Sequence, residues 1–355
     1  MQREFQTQDK SVELIEQVRE AIAVKSPLFI RGGASKPFPG RKVEAAPIDT
    51  RAHRGIVNYD PTELVITVRA GTPVSELDEV LDSAGQMLPC EAAIFGGAAT
   101  VGGMVASGLA GPRRPWVGSV RDFVLGCRLI TGQGRHLRFG GEVMKNVAGY
   151  DVSRLVTGSF GCLGLLTEVS LKVLPKPRAT RHIELQMPAA AALAGLTEWR
   201  RVDLPIAGAC HDGETLHVRL EGGVESVRAA HARLGGTSVD DSFWRALREQ
   251  RLSFFGDPRP LWRLSVPPTA PLIELPGSCL LDWGGAQRWL KSDAPAAVMR
   301  ESAQRLGGHA TAFADVASAG AFHPLPAALQ RYHRALKQQL DPHAIFNPGR
   351  LYADF

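Results

Sequence analysis

RGGASKPFPG, residues 31–40, follows directly on the short apolar run 27–30, and further along a second glycine cluster, GGAATVGG, spans residues 96–103. Gly32 and Gly33 lack a Cβ, so a loop leaving a strand can turn tightly there and bring its backbone N–H groups against an anion such as a pyrophosphate. One such loop carries little weight in a chain of 355 residues with 37 glycines; the pairing points to a large phosphate-bearing cofactor. There is no G-x-G-x-x-G behind a strand and no G-x-x-x-x-G-K-[ST], which argues against a Rossmann dinucleotide site and a P-loop.

The chain is 44% hydrophobic and 22% charged, the proportions of a globular protein long enough for two domains. Its apolar runs, such as residues 123–130 and 161–166, fall short of the roughly 20 residues a membrane span needs. The opening MQREFQTQDK has no apolar signal core, so cytosolic residence is expected. Cys90, Cys127, Cys162, Cys210 and Cys279 are scattered, with no C-x-x-C pair, which excludes a disulfide framework and a cysteine-built zinc or iron–sulfur site. Buried free thiols are expected. The net charge of +5 comes from dispersed basic residues, not from a Lys/Arg run interleaved with aromatics, and does not indicate nucleic-acid binding.

Apolar positions Val12, Ile15, Val18 and Ile22 predict a first amphipathic helix over residues 9–24. Extended segments follow at 28–30, 55–59 and 64–68, then a helix opened by Pro73 and ended by Gly85, giving an αββα order around a mixed sheet. Residues 104–109 suggest a short helix whose free N-terminal N–H groups would add to an anion site. Residues 123–131 and 135–139 read as a hairpin and 163–174 as a strand stopped by Pro175 and Pro177, where a domain boundary is placed. Beyond it, alanine-rich helices alternate with short strands, with no evident internal repeat. A last helix at 328–340 leads into the irregular DPHAIFNPGRLY, read as a tail laid across a partner surface.

Four phrases together resemble one family: RGGASKPFPG (31–40), ATVGGMVASGLAGPRRPWVGSVRDFVLG (99–126), MKNVAGYDVSRLVTGSFGCLGLLTEVSLKVLPKP (144–177) and FNPGR (346–350). They are similar to the vanillyl-alcohol-oxidase-type FAD-binding fold, and most closely to the FAD-binding subunits of bacterial glycolate oxidases. The resemblance implies an α+β protein: a two-subdomain FAD-binding domain over residues 1–177, on which the tail 338–355 packs back, and a smaller, ferredoxin-like cap over 178–337. It further implies that Arg31, Gly32, Gly33, Ala34 and Ser35 form the pyrophosphate loop. Gly97, Thr100, Gly102, Gly103 and Ser107 would line a second wall; Gly161, Gly164, Leu165 and Leu166 would pass the adenine end. Asn347 would approach the flavin face, or serve only as a turn former. Lys145 and Asn146 are further polar candidates. Relatives that tether the flavin use a histidine in the first loop; Ala34 and Ser35 stand there, implying non-covalent FAD.

Oxidation of a 2-hydroxy acid needs a flavin to accept hydride, a cation for the carboxylate, and a base or metal for the hydroxyl proton. Catalytic relatives carry H-x-G-D-G-N-x-H in the cap. The nearest match here is HDGETLH, residues 211–217, one residue shorter and without the asparagine. Period-two alternation turns His217 away from Leu216, Val218 and Leu220, so it reads as solvent-facing, and no metal site is assigned. Arg113 and Arg114 are candidates for a substrate carboxylate or an acidic subunit, and Trp283 and Trp289 for core packing or an interface anchor. No catalytic residue is assigned. The resemblance implies a complex that oxidises glycolate to glyoxylate. Its other members would be a catalytic FAD subunit and an iron–sulfur subunit passing electrons to quinone, with membrane contact only peripheral and through the complex. An autonomous FAD-dependent 2-hydroxy-acid dehydrogenase of the D-lactate type and a non-redox scaffold with a vestigial flavin site remain alternatives.

Overall fold

Leu14, Val18 and Ala21 recur at helical spacing in Ser11–Ala23 and are all buried, against Leu28, Ile48, Ile130, Leu165 and Phe346. That apolar stripe anchors the first helix. The computed structural model describes residues 7–142, 150–313 and 320–355; Lys145 and Asn146 lie outside them. The chain divides into two units, the first of Met1–Ala110, Gly118–Pro175 and Pro324–Phe355, the second of Gly111–Val117 and Lys176–His323.

In the first unit, β1 (Leu28–Arg31) pairs in parallel with β2 (Ala46–Asp49). A five-stranded sheet contains β3 (Ile56–Asp60), β4 (Val65–Arg69), β6 (Val124–Ile130), β7 (His136–Gly140) and β8 (Leu165–Lys172) in the order β3-β4-β8-β6-β7. Every pair in it is antiparallel, not mixed as the sequence suggested. The short β5 (Gln86–Met87) and β9 (Leu174–Pro175) make a separate pair. The hairpin and both amphipathic helices form where the apolar spacing puts them.

The second unit is one eight-stranded antiparallel sheet. Its strands are β10 (Ala179–Gln186), β11 (Ile206–His211), β12 (Thr215–Gly222), β13 (Thr237–Val239), β14 (Leu261–Ser265), β15 (Ser278–Asp282), β16 (Gln287–Lys291) and β17 (His309–Ala312), ordered β13-β10-β12-β11-β15-β16-β14-β17. With helices Ala189–Arg201 and Val224–Leu234 between strands, the first half is a β-α-β-β-α-β unit in spatial order 4-1-3-2. The second half repeats that order in mirror sequence, 2-3-1-4. Its first crossover is the proline-bearing stretch 266–277 in place of a helix, which hides the repeat from the sequence.

The unit boundaries differ from the sequence reading in two places. Residues 111–117 belong to the second unit because Arg113 forks onto the Glu221 carboxylate and the Trp283 indole N–H donates to the Gly111 carbonyl at 3.0 Å. The Ala327–Leu340 helix belongs to the first because the buried Lys337 ammonium donates to the Cys162 and Phe346 carbonyls and to Asp341. The tail lies on its own chain: Leu28 N–H donates to Ile345 O at 2.7 Å, and Asn347 N–H to Leu28 O at 3.0 Å. Among the described residues no helix is long and apolar enough to cross a membrane.

Candidate functional site

Four stretches of the first unit enclose a cleft with about 990 Å³ of empty space, a figure that includes open solvent at its mouth. The first wall is the turn behind β1. Gly33 sits so close to the second glycine cluster that a Cβ would stand 1.3 Å from the Ala98 carbonyl oxygen. Ala34 adopts a left-handed φ of 50°, strained for an L residue but suited to curling consecutive N–H groups toward one point. Among the described residues, the N–H groups of Gly32, Gly33, Ala34 and Ser35 have no hydrogen-bond acceptor in the protein. Among the described residues, the lining side chains include three cations, Arg31, Lys36 and Arg350, and no carboxylate. Such a loop fits a pyrophosphate.

The second wall is the Val101–Ser107 helix, whose N-cap Thr100 accepts from Gly103 N–H. Its first N–H groups are engaged: Val101 donates to Thr72 O and Gly102 to Ala70 O. They are therefore not the free donors expected from sequence, and the anion-binding N–H groups are those of the first loop. The third wall, residues 159–166, is tied to this helix by Gly158 N–H to Val105 O and Phe160 N–H to Ala106 O.

Asn347 closes the floor. It is 4% exposed, its Oδ1 accepts from Ile30 N–H at 2.8 Å, and its Nδ2 donates to Phe160 O at 2.6 Å. Its amide thus joins the first wall to the third and is committed to backbone. Arg350 donates to the carbonyls of Arg41, Lys36 and Pro37, holding the exit of the first loop; burial lowers its pKa.

Residues 8–140 match the family model of an FAD binding domain. Over 346 residues, covering 98% of both chains, the sequence is 58% identical to glycolate oxidase subunit GlcE of Escherichia coli (strain K12). The chain belongs to the GlcE family of glycolate oxidase subunits. Glycolate oxidase subunit GlcD of Bacillus subtilis (strain 168) is 33% identical over 128 residues, 36% of this chain and 27% of that protein. Among solved structures, an alkyldihydroxyacetonephosphate synthase superposes with a TM-score of 0.69 at 16% identity, covering 96% of this chain and 75% of that one. The fold is the vanillyl-alcohol-oxidase-type FAD-binding fold with an α+β cap, and this GlcE-family chain is an FAD-dependent oxidoreductase subunit.

Of the residues singled out from sequence, Arg31, Gly32, Gly33, Ala34 and Ser35 line the first wall, and Thr100, Gly102, Gly103 and Ser107 the second. Gly161, Gly164, Leu166 and Asn347 complete the cleft. Two do not line it. Gly97 lies in an open turn at φ 86°, where a Cβ would have nothing within 4 Å, and Leu165 points into the core with Leu14 and Phe346. Alternation along β8 sends Leu165 and Leu166 to opposite faces. Lys36, Pro37, Thr50, Ser159, Phe160 and Arg350 line the cleft but were missed; Lys36, Pro37 and Arg350 sit within the family phrases, whereas Thr50 follows a strand that sequence did not reveal.

The cap residues behave differently from expectation. His217 is 6% exposed, not solvent-facing: its ring stacks on Phe243 at 3.5 Å between centroids, with Nε2 2.9 Å from Asp212. His211 Nε2 lies 2.8 Å from Met187 O. Among the described residues no group of three or more His, Cys, Asp or Glu could hold a metal. Arg113 is spent on Glu221, and Arg114 stacks over Trp283 at 4.4 Å.

Proposed function

We propose that this chain is the FAD-binding subunit of a glycolate oxidase complex, holding FAD non-covalently in the cleft of its first unit and taking part in oxidation of glycolate to glyoxylate. The cluster of four unengaged N–H groups flanked by Arg31, Lys36 and Arg350 carries this reading. Bound FAD supplies an acceptor for two electrons. The residues of this chain bind and orient it: residues 32–35 take the pyrophosphate, the Val101–Ser107 helix and residues 159–166 form the side walls, and Asn347 fixes their spacing. Among the described residues no His, Cys or Tyr side chain lines the cleft, which supports non-covalent attachment. The partners are a GlcD-type catalytic subunit, in keeping with the names of the two glycolate oxidase relatives, and an iron–sulfur subunit passing electrons to quinone. Localisation is cytoplasmic, with membrane contact only peripheral and through that complex.

Purification of the full chain, acid precipitation and a spectrum of the supernatant test the cofactor reading. Flavin in the supernatant is the expected result; a colourless chain, or flavin that stays with the pellet, defeats it. Anaerobic glycolate with and without the GlcD-type partner then tests the assignment of turnover to the complex. Bleaching of the isolated chain would make it an oxidising subunit in its own right.

A further inference from the structure

Among its described residues, the second unit carries an uncompensated cation on one face of its sheet. Trp262 and Leu264 of β14 pack with Leu290, Met299 and Ala310 in the core under the Ala296–Arg305 helix. Period two therefore sets Arg263 on the opposite face, directly across from Trp289 in β16 and Thr311 in β17. Its guanidinium lies 5.2 Å from the centre of the Phe313 ring, and Phe313 meets Trp289 edge-on at 5.0 Å. Arg263 Nε is sealed from solvent without an acceptor. Among the described residues the side chain makes neither a hydrogen bond nor an ion pair, so its five-donor fork is unused.

Three other cations of this unit have acceptors among the described residues. Arg113 and Arg219 share Glu221, and Lys291 donates to the carbonyls of Asp257 and Arg259. Arg263 is surrounded instead by like charge. Burial and then Arg114 push its pKa down to about 10. His309, whose pKa is lowered first by burial, sits in the field of Arg263, His323 and Arg114. Among the described residues, no carboxylate contributes at either group. A largely desolvated guanidinium against the Phe313 ring, with no anion beside it among the described residues, is a site whose charge a ligand can complete.

We propose that this face of the second unit binds a small carboxylate, the Arg263 fork meeting its two oxygens and the Trp289 and Phe313 rings forming the apolar wall. A planar anion matches the fork bidentately, which a spherical one does not. The proposal rests on the reading that the chain serves 2-hydroxy-acid oxidation: it gives this subunit a hydroxy-acid site of its own.

Calorimetric titration of the full chain with glycolate, and with its neutral isostere glycolamide, tests it. Glycolate should bind and glycolamide should not. Arg263→Met should weaken glycolate binding at least tenfold, and Arg263→Lys, which keeps the charge without the fork, should fall between. Equal binding of glycolate and glycolamide, binding unchanged in Arg263→Met, or no glycolate binding at millimolar concentration each overturns the proposal. The wild-type pair of titrations decides it even if a variant fails to fold. The visible spectrum of the same sample reports the cofactor separately. Glycolate binding without a flavin band sustains the carboxylate site while defeating the cofactor reading, and a flavin band without glycolate binding does the reverse.

Discussion

Replacing Asn347 with alanine should loosen the first unit alone. The substitution removes the acceptor of Ile30 N–H and the donor to Phe160 O, and each buried hydrogen bond lost costs about 1–3 kcal/mol. Asn347 also sits at φ 42°, a left-handed conformation that asparagine tolerates and alanine resists by roughly 1 kcal/mol. Water from the open cleft can recover part of the lost bonding, so the expected cost is about 3–5 kcal/mol, a large share of the ~5–15 kcal/mol that stabilises a typical domain. Two optical probes separate the units. All six tryptophans, Trp116, Trp199, Trp244, Trp262, Trp283 and Trp289, lie in the second unit, whereas the cleft proposed to hold FAD lies in the first. In urea, Asn347→Ala should shift flavin release to lower denaturant and leave the tryptophan transition in place. Asn347→Gly loses the same bonds without the left-handed penalty and should be milder by roughly 1 kcal/mol. A shift in flavin release below about 1 kcal/mol would refute the view that this amide braces the cleft.

Gly33→Ala forces a methyl carbon onto the Ala98 carbonyl; overpacking of this kind costs about 1–3 kcal/mol or more, and FAD affinity measured by flavin-fluorescence titration should fall at least tenfold. His53 is 1% exposed and its pKa is pushed down to about 4, chiefly by burial and then by Arg69. The unfolded chain binds that proton more tightly, so this stability is complete above pH 6.5 and is lost as pH falls toward 4, about 3 kcal/mol in all. Urea midpoints at pH 7 and 4.5 should therefore differ less in His53→Gln than in wild type. Cys90, Cys127, Cys162 and Cys210 are buried, and burial pushes the first three thiols to about 12, 12 and 11. A thiol-titrating reagent at pH 8 should react with none of these four until denaturant is added.

The cleft was legible where backbone demands leave a mark on composition. Gly33 must be glycine because nothing larger fits beside Ala98, and such constraints gather into recognisable phrases. Strands were legible where one face is apolar, as in β4 and β8. β2 was invisible because only Ile48 of its four residues is buried and Pro47 interrupts it. β16, Gln287–Lys291, reads as polar yet is wholly buried, because its charged side chains turn to carbonyls: Arg288 to Ala270 and Lys291 to Asp257 and Arg259. Arg113 looked like a ligand for an outside anion for the same reason. Sequence shows a cation, and only the fold supplies Glu221.

The pairing of Leu28 with Phe346 also sets an order of events during synthesis. The second unit is nearly all one uninterrupted stretch, Lys176–His323, and needs only the earlier residues 111–117 to complete it, so it can form while the chain is still growing. The cleft proposed for the cofactor cannot, since its floor arrives with Asn347 and Arg350, far downstream of the loop they brace. Until those residues leave the ribosome, the N-terminal segments wait as an incomplete half-site. Flavin loading is accordingly expected to follow translation, and a truncation that removes residues 346–355 would spare the cap while leaving a chain unable to retain FAD.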